Sequence, residues 1–147
     1  VKTAADIGAG DGVISKVCCQ ALFPQLKTLD IYEPYVDELR LQRKFPFKVN
    51  FKKEEFTGGS VKYDAVFLIT ALHHITNPVK VINDIYKALN PGGLLIIREH
   101  QPESVNDKMM INLIDILWEV SFTKEKTVDE FKALNPAPYS SLKELKK

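Results

Sequence analysis

Residues 4–15 read AADIGAGDGVIS, with three glycines in five positions between an apolar run and the start of a helix-like pattern. No other stretch limits the chain so narrowly. Glycine has no Cβ, so Gly8, Gly10 and Gly12 permit a tight turn and a close approach of backbone to a ligand. The N–H groups that open the next helix would then face something polar. Such a loop belongs after a buried strand, at the edge of a sheet.

The rest of the chain supplies that sheet. Short apolar runs at 3–7, 28–32, 48–51, 65–70 and 94–98 read as strands. The run AVFLIT at 65–70 is apolar throughout, as expected of a strand covered on both faces. Helix-period stretches lie between them at 13–23, 35–44, 79–89 and 106–122. The first places Val13, Val17, Ala21 and Leu22 on one side and is stopped by Pro24; the second ends at FPF. TGGS at 57–60 is a loop, and NPGG at 90–93 reads as a stop and turn. Alternation of this kind predicts an α/β fold, a doubly wound, mainly parallel sheet with right-handed crossovers and helices on both faces. Such sheets bind ligands beyond the carboxyl ends of their strands, where the strand order reverses. The glycine cluster follows the first strand directly.

Bulk properties exclude several classes. With 147 residues, 45% hydrophobic and 27% charged, the chain has the size and composition of one globular domain. A net charge of +1 gives no strong overall field for nucleic acid or membrane. Arg40, Arg43, Lys44, Lys48, Lys52 and Lys53 do cluster, as a solvated face or as a phosphate-contacting patch. Neither a membrane span nor a signal peptide is legible. Two adjacent cysteines, Cys18 and Cys19, fit thiols in a reducing compartment better than a disulfide framework, so a cytoplasmic location is expected.

Glu33 falls at the end of the second strand, 21 residues after Gly12. A carboxylate there can accept hydrogen bonds from both ribose hydroxyls, so loop and acid together specify a nucleoside-containing cofactor. Dinucleotide sites want G-x-G-x-x-G; here the pattern is G-x-G-x-G, and Val13 stands at the third-glycine position. Asp6, two residues before Gly8, suits a ligand with an amine and a sulfonium better than a pyrophosphate. The spacing favours S-adenosylmethionine over NAD.

ADIGAGDG resembles the first motif of the class I S-adenosylmethionine-dependent methyltransferases, and DIYEPYVDEL their second. KYDAVFLITALHHI is similar to the fourth, and ALNPGGLLIIREH to the segment holding the fifth strand. The resemblance covers about residues 3–100. It implies a Rossmann-like sheet in the order 3-2-1-4-5, with S-adenosylmethionine as methyl donor and S-adenosylhomocysteine as product. Gly8, Gly10 and Gly12 would pass under the methionine part, with Asp6 near its amino group. Glu33 would bind the ribose and Pro34 lie against the adenine. Glu55, with Glu54 as alternative, would meet the adenine amine. Thr70 and Ala71 would stand near the methyl group.

Methyl transfer needs a base only when the acceptor must lose a proton. The candidates are His73 and His74 after the fourth strand, and Glu99 and His100 after the fifth. One of the paired histidines could equally cap or pack a helix. The fourth strand closes in TALH, which lacks the N-P-P-Y of amino-group enzymes, the aspartate of cap-ribose enzymes and the carboxylates of metal-dependent ones. No metal is expected. The acceptor would be an oxygen, nitrogen or carbon, on a small molecule in preference to RNA, and a cap-guanine enzyme stays open. The family's sixth and seventh strands are not evident after residue 122. A single core domain over 1–147, incomplete at one or both ends and part of a larger polypeptide, is the expectation. A catalytically silent interaction module is the alternative, and a nicotinamide oxidoreductase a third reading.

Overall fold

The computed structural model describes residues 1–10, 12–35 and 45–122, with side chains to residue 114. Five strands form one sheet: β1 (Thr3–Ile7), β2 (Thr28–Tyr32), β3 (Lys48–Lys52), β4 (Tyr63–Ile69) and β5 (Leu89–Arg98). Every pairing is parallel, and the order is β3-β2-β1-β4-β5. The helices are α1 (Val13–Leu22), α2 (Pro78–Ala88) and α3 (Val105–Phe122). A 3-10 turn covers Leu72–His74. Residues 35–44, expected as a helix, lie almost entirely outside the described residues, as do the Arg40, Arg43 and Lys44 members of the basic cluster and everything beyond residue 122.

The chain divides into two compact units, Val1–Leu72 with Asn77–Arg98, and His73–Thr76 with Glu99–Lys147. The first contains the whole sheet. Its register places Asp6 beside Ile31 of β2 and Phe67 of β4, so these three side chains leave the sheet on one face. That face carries the core of Ala4, Leu29, Ile31, Ala65 and Phe67 with Cys19 of α1 and Leu26, and Phe23 tilts against Phe67 at 5.8 Å. The opposite face presents Ala5 beside Asp30 and Val66.

Two elements differ from their sequence reading. The α1 helix turns Ser15 and Cys19 inward and leaves Val17 and Leu22 more than half exposed. The cause is a polar contact, because the Ser15 hydroxyl donates to Asp6 beneath it and fixes the rotation of the helix. NPGG does not precede the fifth strand but lies within it. Tyr63 pairs with Leu89 and Ala65 with Leu94, so the four residues 90–93 bulge out of a strand that begins directly after α2. Asn90 reaches from this bulge to Asp64, whose other oxygen accepts the Lys2 and Thr3 amides. At the start of α2, the Asn77 side chain caps the Lys80 amide and Pro78 occupies the first turn.

Candidate functional site

The glycine loop leaves the carboxyl end of β1 at the centre of the sheet. Its first amide, Gly8 N–H, donates to the Tyr32 carbonyl at 2.8 Å, which ties the loop to the end of β2. Gly8 has φ +72°, and a Cβ there would fall 2.6 Å from the Cβ of Ala71, so only glycine lets β1 and the end of β4 approach so closely. Gly10 differs: its φ is +56°, but a Cβ built on it meets no atom of the described residues within 4 Å. The loop is therefore tight against protein at Gly8 and open at Gly10. Gly12, also at positive φ, is the N-cap of α1.

Glu33 is joined directly to this loop. Its Oε2 accepts the Gly10 amide at 3.0 Å and its Oε1 accepts the Tyr35 amide at 3.1 Å. A carboxylate has about four lone-pair directions, so further donors can be accommodated. Pro34 follows, half-buried, whereas Glu54 and Glu55 are exposed in the loop after β3. The next residue, Phe56, is buried with its ring edge-on to Tyr32 at 4.9 Å.

Asp6 lies under the loop, 2% exposed. Ser15 bonds its Oδ2, while Oδ1 has no partner among the described residues. Burial pushes this carboxyl up to about 7; the Ser15 hydrogen bond offsets part of that, and the neighbouring charge of Glu33 adds to it. Ser15 was not foreseen as a site residue. The only sequence cue to it is a hydroxyl on the helix nine residues after an acid in a buried strand, and helical periodicity does not turn that cue into a contact. The same environment pushes the Cys19 thiol up to about 12, first by burial and then by the charge of Asp6, so this thiol is no nucleophile.

Thr70 closes β4 at φ +51°, the one non-glycine residue at positive φ among those described. A β-branched side chain in this region costs of order 1–3 kcal/mol. The conformation is held by Thr70 N–H to the Arg98 carbonyl at 2.7 Å and by its hydroxyl to the Ile69 carbonyl at 2.7 Å. Ala71 is buried, with its Cβ facing Gly8. The sequence contained no cue for the strain at Thr70.

The second unit brings together all four candidate acid–base residues. His73 Nδ1 lies 2.9 Å from Glu99 Oε1, and the other oxygen of Glu99 accepts the His73 amide at 3.3 Å. The His100 amide also donates to Glu99 Oε1, at 2.8 Å. The His74 ring packs at 4.0 Å from that of His73, and His100 at 6.1 Å. His73 is buried and His74 exposed, so the paired histidines are not equivalent. Among the described residues, no group of three His, Cys, Asp or Glu side chains is placed to hold a metal ion. No helix among them is long and apolar enough to cross a membrane.

Residues 2–133 match the family model described as a methyltransferase domain. The chain belongs to this methyltransferase family. Among solved structures it is similar to the plantazolicin methyltransferase BpumL in complex with SAH, with 15% identity and a TM-score of 0.68, over 99% of this chain and 52% of that one. It is also similar to the StiE O-MT, with 23% identity and a TM-score of 0.54, over 65% and 37%. A putative methyltransferase from Bacillus halodurans matches with 16% identity and a TM-score of 0.54, over 90% and 60%. This methyltransferase chain thus spans about half the length of the neighbours it matches. No curated protein matches it in sequence. The residues present fit the family's cofactor, S-adenosylmethionine. Among the described residues, Asp6 offers a buried acceptor without a partner, nothing approaches a Cβ at Gly10, and Glu33 has lone pairs left for hydroxyl donors.

The buried Asp6 should leave a signature in stability. Its carboxyl holds a proton in the folded chain up to about pH 7 but releases it in the unfolded chain near its ordinary value of 3.8. The unfolded state therefore binds fewer protons between these limits, and stability falls as pH rises from about 4 to about 7, by up to ~4 kcal/mol. Urea denaturation across this range should show that fall in the wild type and a flatter profile in Asp6→Asn; parallel profiles would contradict the burial assignment.

Proposed function

We propose that this chain is the cofactor-binding core of an S-adenosylmethionine-dependent methyltransferase, acting on an oxygen, nitrogen or carbon of an acceptor, preferably a small molecule. The observation that carries the reading is the bond from the Gly10 amide to Glu33. It joins the loop that would take the methionine part to the carboxylate that would take the ribose. Bound S-adenosylmethionine supplies a methyl group on a sulfonium, already activated for displacement. The chain's own contribution is orientation, which can be worth ~7–11 kcal/mol. Asp6 receives the ammonium on Oδ1, and that charge draws its carboxyl toward the ionised form. Gly8, Gly10 and Gly12 give the methionine part a bare backbone to lie on. Glu33 accepts the two ribose hydroxyls, Pro34 packs on the adenine and Glu55 meets the adenine amine. Thr70 and Ala71 border the methyl group.

Where the acceptor must lose a proton, His73 is the base. With its Nδ1–H donated to Glu99, the imidazole carries its lone pair on Nε2, takes the acceptor's proton there, and becomes an imidazolium beside the Glu99 carboxylate. His74 and His100 flank this pair as further candidates. Cys18 and Cys19 are free thiols, which supports a reducing, cytoplasmic setting. RNA is the less favoured acceptor, because Lys52 of the basic cluster turns its ammonium inward to Asp30 at 3.0 Å.

Two measurements test these roles. Glu33→Ala should weaken S-adenosylhomocysteine binding by about 1–3 kcal/mol, from ribose hydroxyls left unpaired; unchanged affinity in titration calorimetry would reject the ribose assignment. Nitrogen-15 NMR at alkaline pH should find the His73 ring protonated on Nδ1, and Glu99→Ala should redistribute the tautomers. A ring protonated on Nε2 in the wild type would remove His73 as base.

A further inference from the structure

Behind the end of β2 lies a buried polar network that the reading above does not use. Asp30, 6% exposed, accepts from Asn50 Nδ2 at 2.7 Å and from the Tyr63 hydroxyl at 2.7 Å, and pairs with Lys52 Nζ at 3.0 Å. The Tyr32 hydroxyl lies 2.9 Å from that of Tyr63 and accepts from Lys52 Nζ at 2.7 Å. Tyr63 reaches this point from β4, across β1, whose residue beside Asp30 is the small Ala5. Burial alone would push the Asp30 carboxyl up; the bonds from Asn50, Tyr63 and Lys52, with the Lys52 charge, outweigh it and hold the carboxyl below its ordinary value. A buried ion pair is weak evidence for stability, since apolar side chains of similar volume often serve as well. The network's geometry offers a different use.

All of it closes on Tyr32. The ring has Lys52 Nζ 4.5 Å from its centroid, Phe56 edge-on at 4.9 Å, and its hydroxyl between Tyr63 and Lys52. Through its carbonyl, the same residue anchors the Gly8 amide. The next residue is Glu33, whose amide donates to the Lys52 carbonyl at 3.0 Å. Lys52 thus grips Tyr32 with its side chain and Glu33 with its main chain. A carboxylate that must meet two hydroxyls needs placement to a fraction of an ångström, which packing behind it supplies.

We propose that Tyr32 is a positioning residue for the cofactor, clamped by Lys52, Tyr63 and Asp30 so that Gly8 and the Glu33 carboxylate are held in place for the ribose. The proposal rests on the ribose role of Glu33. Its energetic signature is coupling: loosening the clamp matters only while Glu33 has a ligand to place.

The test is calorimetric titration of the chain with S-adenosylhomocysteine in a double-mutant cycle of Lys52→Met and Glu33→Gln. Lys52→Met alone should weaken binding about fivefold, and Lys52→Arg should restore most of it. In the Glu33→Gln background, Lys52→Met should change affinity by less than about twofold. Tyr32→Phe, which removes one oxygen, runs the same cycle should Lys52→Met fold poorly. Wild-type affinity in both Lys52→Met and Tyr32→Phe, or losses that add in full in the cycle, would overturn the proposal. Wild-type affinity in Glu33→Gln would instead strike the ribose reading, and the proposal with it.

Discussion

The structure depends on β1 being hydrogen-bonded along both edges, to β2 on one side and β4 on the other. A parallel pairing brings strand ends of the same kind together, so the carboxyl ends of β1, β2 and β4 meet at one edge of the sheet. The strand order reverses at β1, which opens a crevice there. The loop that follows must fold back tightly between two neighbours. Gly8 meets that demand against Ala71, and its amide bonds the β2 end. The meeting of loop and strand ends at this edge is a consequence of strand order before it is a consequence of side chains.

A carboxyl buried beneath that loop costs free energy. Asp6 has one hydrogen-bonded oxygen and one without a partner among the described residues, and its acidity is weakened by burial. Thr70 adds backbone strain at the end of β4. Both lie near the carboxyl ends of neighbouring strands in the first unit, and each is a local departure from what stability alone would select. Departures of this kind concentrate where a fold binds or reacts. The Asp30 network is the opposite case: every member is satisfied, and the result is a stiff backing for the end of β2.

Much of this was legible beforehand. The β1 and β2 strands span the runs 3–7 and 28–32 read from the sequence, and β4 holds the continuous apolar run expected of a strand covered on both faces. The glycine spacing marked a tight turn after β1, and Gly8, Gly10 and Gly12 all stand there at positive φ, a backbone few other residues tolerate. Three features were not legible. The rotation of α1 follows from Ser15 bonding Asp6, a tertiary contact that helical periodicity does not encode. The bulge at 90–93 sits inside β5, because Leu89 pairs with Tyr63 before the turn residues begin. The alternation in KVNFK turns Lys48, Asn50 and Lys52 to one side, but only the structure shows Asn50 and Lys52 converging on Asp30.

The central claim, that this edge of the sheet binds S-adenosylmethionine, is tested most directly by titrating the chain calorimetrically with S-adenosylmethionine and with NAD. Micromolar binding of the first and none of the second is the predicted result. A folded chain that binds neither, or that takes up NAD instead, would contradict it.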